Sequence, residues 1–270
     1  MGRGLSASGQ LSNEGIGRVS EAIAEFNLLI AEHEVETIRA VTTSAARDAR
    51  NRDEFIAAAS ASLNHPLELL SGEEEARYGF LGATADLDRT AAPFLVVDIG
   101  GGSTEFSYGT DVAEMYRSVD MGSVRFFEKF LLNDPPKPEE LSAAIQVARL
   151  HLDDIDRELP LIGKANSLVG VAGTITTIAA VEIGLEPYDS EVIDGFRLTR
   201  QAAEDVFRTL ATESLSDRQH NPGLEPARAD VIVAGCCILV AIMRHWDLEE
   251  CLVRERDLLD GLADEMLGHE

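Results

Sequence analysis

Cysteine is scarce in this chain, with three in 270 residues, and none stands at metal-ligand spacing. Cys236 and Cys237 are neighbours inside an apolar run, and Cys251 stands apart. All three read as buried thiols of a reducing cytoplasm. The six histidines lack metal spacing as well, and no Ser or Cys is accompanied by a histidine in a nucleophile motif. Basic residues are outnumbered, 23 against 48 acidic, for a formal net charge of −25. Nonspecific nucleic-acid binding needs a basic footprint and is disfavoured. A polyanionic ligand would be repelled unless a cation or a local basic patch intervened. Long hydrophobic runs are absent too. The longest, Val231 to Met243, is too short to span a bilayer, and no signal pattern opens the chain. Missing also are the nucleotide loop ending in Gly-Lys-Ser and the spaced glycines of a dinucleotide fold.

What the chain does have is the stretch Phe94-Leu95-Val96-Val97-Asp98-Ile99-Gly100-Gly101-Gly102-Ser103-Thr104-Glu105-Phe106. Its apolar start suits a strand buried on both faces. Asp98 ends that run, where a carboxylate would emerge at the sheet edge. Three glycines let the backbone take positive φ and approach a ligand without a Cβ in the way. Successive N–H groups in such a turn can form an anion-binding nest. Ser103 and Thr104 add hydroxyls, and Glu105 a second carboxylate. The simpler reading is a glycine turn between two strands.

Before this stretch, Leu11-Ser12-Asn13-Glu14 introduces a helix whose Ile16, Val19, Ile23, Phe26 and Ile30 recur at helical spacing. Glu36–Thr42 and Pro66–Leu70 read as strands, with an alanine-rich helix over Asp53–Leu63 between them. Arg47 could meet a phosphate or pair with a carboxylate. Ser71 is placed to cap a helix, and Glu74 then falls at its third position as the capping-box partner. Helical residues advance about 100° each, so Glu73, Glu74 and Glu75 cannot share a direction. Glu73 faces solvent near the helix dipole, and Glu75 is left to face a cleft. A domain boundary is expected in the linker Asp86–Ala92, giving units 1–90 and 91–270.

After the hairpin, Val112–Val119 should add a third strand. Pro138–Leu159 is a long amphipathic helix. Leu168–Gly173 is a buried strand ending in glycine, and Thr174–Ile183 a helix whose leading N–H groups would face phosphate. The alternative for Gly173-Thr174 is a tight strand-to-helix turn. Asp189–Phe196 reads as loop or ligand-facing, Thr199–Thr212 as a helix capped by Thr199, and Pro226 as the start of the helix carrying Arg228 and the long apolar run. Arg228 either supports a site or has a structural role. Glu250–Val253 is a last strand and Asp257–Leu267 a closing helix. Strand–hairpin–strand–helix order fits an α/β architecture with helices on both sheet faces.

The segment Val97-Asp98-Ile99-Gly100-Gly101-Gly102-Ser103-Thr104-Glu105 resembles the signature of the exopolyphosphatase / guanosine pentaphosphate phosphohydrolase (Ppx/GppA) family. Further matches in family order are Thr43–Asp48, Ser71–Arg77, Gly170–Thr174, Arg228–Ile232 and Asp257–Gly261. The resemblance implies two ribonuclease-H-like domains of the actin-like, sugar-kinase and Hsp70 ATPase superfamily, with the last helix packing back toward the first domain. Met1–Leu5 matches a loop that in the family follows an opening phosphate-loop hairpin, so the first domain is expected to be N-terminally truncated. The implied reaction is removal of terminal phosphate from inorganic polyphosphate by metal-assisted water attack in the cytoplasm. Guanosine pentaphosphate hydrolysis and a non-catalytic phosphate-binding remnant are the alternatives. Glu75 would be the catalytic carboxylate. Asp98 and Glu105 would hold Mg²⁺ or Mn²⁺. Gly100, Gly101, Gly102, Ser103, Thr104, Gly173, Thr174, Arg47 and Arg228 would bind phosphate. No nucleic-acid or membrane partner is implied, and a homodimer is allowed.

Overall fold

The computed structural model describes residue 2 and residues 4–268. Of the Met1–Leu5 match, Met1 and Arg3 lie outside the described residues. The chain divides into two compact units, Met1–Gly72 and Glu73–Glu270.

In the first unit, elements follow in the order α1 (Leu5–Ser8), α2 (Asn13–Glu32), β1 (Ala40–Thr42), α3 (Ser44–Asp48), α4 (Arg52–Leu63) and β2 (Leu67–Leu69). Ser12 caps α2, its Oγ accepting from Gly15 N–H at 3.1 Å. The apolar spacing then turns Ile23 into a core with Leu5, Leu11, Ala46, Phe55 and Leu63, against which Ile16, Val19 and Ile30 pack. Phe26 is left exposed. The strands are shorter than their sequence suggests and pair in parallel, Ala40 opposite Leu67 and Thr42 opposite Leu69.

The second unit continues with α5 (Gly72–Thr84), β3 (Phe94–Ile99), β4 (Thr104–Gly109), β5 (Ala113–Val119), α6 (Ser123–Phe130), α7 (Pro138–Glu158), β6 (Ser167–Val171), α8 (Ala172–Ile183), α9 (Ser190–Ile193), β7 (Arg197–Thr199), α10 (Arg200–Thr212), α11 (Leu215–Arg218), α12 (Ile232–His245), β8 (Glu250–Val253) and α13 (Leu258–Met266). Its six strands lie in the order β5-β4-β3-β6-β8-β7. The hairpins β3/β4 and β4/β5 are antiparallel, and β3/β6 and β6/β8 are parallel. That is the ribonuclease-H-like order, with the edge strand β7 antiparallel to β8.

Alternation along a strand decides which core each β3 residue enters. Leu95, Val97 and Ile99 point to the large core built with Leu152, Ile175, Ile178 and the apolar side of α12. Phe94 and Val96 point the other way, into a smaller core with Val169, Val171, Phe80 and Ala83. The last two belong to α5, so this helix packs with the sheet it covers, ahead of the linker 86–92 where the sequence suggested a boundary. α13 runs back along α5. A Cβ on Gly82 would stand 1.9 Å from the Asp257 carbonyl oxygen, and one on Gly261 2.1 Å from that of Tyr78, so only glycines permit the crossing.

Two local readings change. Ser190–Ile193 forms a short helix in the segment read as loop, because Ile193 is fully buried in the large core. Pro226 opens a single 3-10 turn, Pro226–Arg228, and α12 begins at Ile232. Arg228 therefore sits on a turn rather than on the apolar helix.

Candidate active site

The same alternation that buries Phe94 and Val96 under α5 brings Asp98 out on the α5 face. Asp98 pairs directly with Glu105 across β3 and β4, and Glu105 with Ser118 across β4 and β5. Directly opposed residues share a face at about 5 Å between Cβ atoms, so three polar side chains form a row. The Ser118 hydroxyl donates to Glu105 Oε1 at 2.6 Å. Two residues along β4, Ser107 Oγ donates to the Ala76 carbonyl at 3.2 Å. This bond ties α5 to the sheet next to Glu75, which is itself buried while Glu73 is exposed. The first-turn reading of the three glutamates is therefore realised in orientation, and Glu74 holds the third helical position counted from Gly72.

The acidic groups converge. Burial raises the Asp98 carboxyl well above the usual carboxylate range, and the charges of Glu105, Glu75 and Asp257 add to the effect. Burial also raises Asp257, which caps α13 with Oδ1 accepting from Leu259 N–H at 2.8 Å. Asp257 is a member that sequence reasoning missed. Its signal was present, an aspartate at a helix start inside Asp257–Gly261, but nothing local says which carboxylates it meets.

The glycine loop does not use its freedom to take positive φ. Neither Gly100 nor Gly101 takes a positive φ. Their carbonyls are instead gathered by the start of α6. Gly100 O accepts from Ser123 N–H at 2.9 Å, and Gly101 O from Val124 and Arg125 N–H at 3.0 and 3.1 Å. Gly102 O accepts from Arg125 Nε at 2.7 Å. A Cβ on Gly122 would lie 2.3 Å from Gly101 O, so that glycine admits the close approach. With the carbonyls held on one side, the N–H groups of Gly101 and Gly102 donate to nothing within the described residues. Ser103 is buried beside them. Thr104 is not available in this way. One residue from Glu105, it faces the opposite side of the sheet, fully buried, and its hydroxyl donates to the Met121 carbonyl.

At the neighbouring strand end, Ala172 adopts φ 67°, a left-handed conformation that costs a non-glycine residue about 1–2 kcal/mol. Such strain collects at ligand sites. It turns the chain from β6 into α8, whose first N–H groups have no partner within the helix. Gly173 lies under the Arg228 guanidinium, and a Cβ there would stand 2.3 Å from Nη1. Arg228 Nε also donates to Glu225 Oε2 at 3.1 Å. Thr174 is buried, its methyl against Gly235 of α12. Gly173, Arg228 and Asp257 border a cavity of about 790 Å³ that extends past Thr176, Tyr188 and Asn221. Arg254, also on its wall, was not anticipated. Fully buried, it donates from Nη2 to Asp86 at 2.8 Å and from Nε to Asp194 at 2.8 Å, so it is a strut. Arg47 belongs to the first unit, where Nη1 donates to the Leu70 carbonyl at 3.0 Å.

Among the described residues no three His, Cys, Asp or Glu side chains are preassembled around a metal position. Mg²⁺ does not require that. It is commonly held by one or two carboxylates with waters and substrate phosphates, and the opposed, mutually repelling Asp98–Glu105 pair suits that role. No described helix is long and apolar enough to cross a membrane.

Comparison with known proteins agrees with this architecture. The model of the Ppx/GppA phosphatase family matches residues 1–270. Exopolyphosphatase 2 of Mycobacterium tuberculosis is 35% identical over 277 residues, spanning 99% of this chain and 86% of that protein. A guanosine-5'-triphosphate,3'-diphosphate pyrophosphatase of Vibrio vulnificus is 32% identical over 271 residues, 98% of this chain but 52% of its own length. The crystal structure of an exopolyphosphatase-like protein superposes with a TM-score of 0.92 at 34% identity, covering 97% of this chain and 87% of the other. An Aquifex aeolicus Ppx/GppA enzyme gives 0.82 at 29% identity, covering 97% and 86%.

Proposed function

The chain belongs to the Ppx/GppA phosphatase family, and from that premise we propose that it is an exopolyphosphatase releasing orthophosphate from the ends of inorganic polyphosphate. The observation that carries the reading is the placement of buried Glu75 over the Asp98–Glu105 row, beside a glycine loop with unused N–H groups. Likeness to an exopolyphosphatase over most of its length supports the choice of substrate.

Phosphoryl transfer to water is chiefly a matter of positioning and charge neutralisation. The terminal phosphoryl group rests on the N–H groups of Gly101 and Gly102 and on Ser103. The next phosphates reach Gly173, the leading N–H groups of α8 and Arg228. Asp98 and Glu105 would hold Mg²⁺ or Mn²⁺, which when bound supplies positive charge against the substrate oxygens. Glu75 accepts a proton from the attacking water. The new P–O bond forms as the bond to the bridging oxygen breaks, leaving orthophosphate and a chain one unit shorter. Thr104 has no part in this scheme. Three buried thiols suit a reducing cytoplasm.

The test is orthophosphate release from long-chain polyphosphate and from guanosine pentaphosphate, each with Mg²⁺. The expected result is a higher kcat/KM on polyphosphate. A tenfold preference for guanosine pentaphosphate would transfer the assignment to that substrate, and release from neither would refute it.

A further inference from the structure

Glu75 is carried by a helix that covers an acidic row. Its carboxylate faces Asp98, and Glu105 and Asp257 carry the same charge nearby. Something must hold α5 down over that row. Ser107 supplies one bond, to Ala76. Phe80 and Ala83 pack on the sheet, Glu73 is hydrogen-bonded to Tyr116 of β5, and further ties come from α13. Its backbone crosses α5 at Gly82 and Gly261, where neither position has room for a Cβ. Arg256, just before α13, donates from Nε to the Gly82 carbonyl at 3.2 Å and pairs with Asp264 at 2.9 Å. At the far end of α13, Glu265 receives two donors from α5, Arg77 Nη2 on Oε1 at 2.9 Å and the Tyr78 hydroxyl on Oε2 at 2.6 Å.

The register of these partners matters. Residues three apart lie on one face of a helix, so Tyr78 stands one turn from Glu75 on the same side, and both are buried. A carboxylate that fixes Tyr78 therefore fixes the turn that aims Glu75. Glu265 and the crossing at Gly82 grip α5 at two points, and a helix gripped at two points cannot roll. Surface ion pairs contribute little to stability, and Arg77 and Glu265 are each about 40% exposed. The pair with a buried phenol is of another kind, since its geometry is set by packing.

We infer that Glu265 is a positioning residue for Glu75, acting through Tyr78 and Arg77 to hold the first turns of α5 against the acidic row. It touches no substrate. The inference rests on the role proposed for Glu75, and displacement of a catalytic group by about 1 Å can cost on the order of 10²-fold in rate.

The experiment compares the full chain with Glu265→Ala, Glu265→Gln and Tyr78→Phe, in polyphosphate hydrolysis and in amide hydrogen exchange over residues 73–78. Glu265→Ala should lower kcat about tenfold or more with KM within about twofold, because phosphate contacts lie elsewhere. Exchange over 73–78 should speed up in the same variant. Glu265→Gln, whose amide oxygen still accepts from the phenol, should recover most of both losses, and Tyr78→Phe should resemble Glu265→Ala. A normal kcat in Glu265→Ala, or a raised KM at unchanged kcat, would overturn the inference. Should the wild-type chain hydrolyse neither polyphosphate nor guanosine pentaphosphate, the functional assignment fails, and the exchange arm judges the clamp alone: unchanged exchange in Glu265→Ala overturns it, and faster exchange restored by Gln upholds it.

Discussion

Replacing Glu75 with Gln should make the protein both inactive and more stable. The substitution keeps the shape of a side chain that is 9% exposed and removes only its charge and its basicity. Losing a general base costs roughly 10²–10⁴ in rate, or about 3–5 kcal/mol of transition-state stabilisation. In the folded protein, Glu75 is one of three carboxylates whose charges act against Asp98. Removing one like-charged neighbour of Asp98 in a protein environment should return about 1 kcal/mol or more. For a domain of this size that is a rise of about 2–4 °C in Tm. Glu74→Gln is the control. At the third position of α5 it is half-buried, and losing a capping bond would lower stability by about 1 kcal/mol. The assays are orthophosphate release under saturating polyphosphate and thermal unfolding in EDTA, so that bound metal does not mask the repulsion. Inactivity in Glu74→Gln with near-normal turnover in Glu75→Gln would refute the helix phase and the assigned base together. An inactive Glu75→Gln with a lowered Tm would refute the electrostatic account.

Phosphate release should stop in excess EDTA and return with Mg²⁺ or Mn²⁺, since two opposed carboxylates repel a polyanion; full release in EDTA would remove the metal from the scheme. Gly173→Ala should push the Arg228 guanidinium aside, because the new Cβ would lie 2.3 Å from Nη1. Losing a charge-assisted phosphate contact of about 1.5–3 kcal/mol should raise KM for polyphosphate about tenfold with little change in Tm, and an unchanged KM would take Arg228 out of the substrate path. Burial pushes the thiols of Cys236 and Cys251 up to about 12, and that of Cys237 higher still. None of the three should react with a thiol reagent at neutral pH until the protein is unfolded, and a Cys236→Ser, Cys237→Ser double variant that folds should keep its turnover.

The sequence by itself determined the elements whose signals are periodic. The apolar run of Phe94–Ile99, the spacing in Asn13–Glu32 and Pro138–Glu158, and the Ser or Thr before a helix all act within a few residues of chain. The buried side of the Glu73–Glu75 triplet was legible for the same reason, since a helix turns by a fixed angle per residue. The glycine hairpin and its two carboxylates were legible as a pair because β3 and β4 are joined by a short loop that fixes their register. Tertiary structure alone decided the rest. Which face of the sheet α5 covers made Asp98 and Glu105 face Glu75, and turned Thr104, one residue away, into a strut for Met121. The glycine loop kept ordinary φ values because α6 collects its carbonyls, a contact between segments twenty residues apart. Asp257 joined the acidic group, and Arg254 reached Asp194 across 60 positions of sequence and Asp86 across 168. No local pattern encodes such meetings, because they depend on strand order and helix crossing, where a carbonyl meeting a glycine at contact distance fixes what lies beside what.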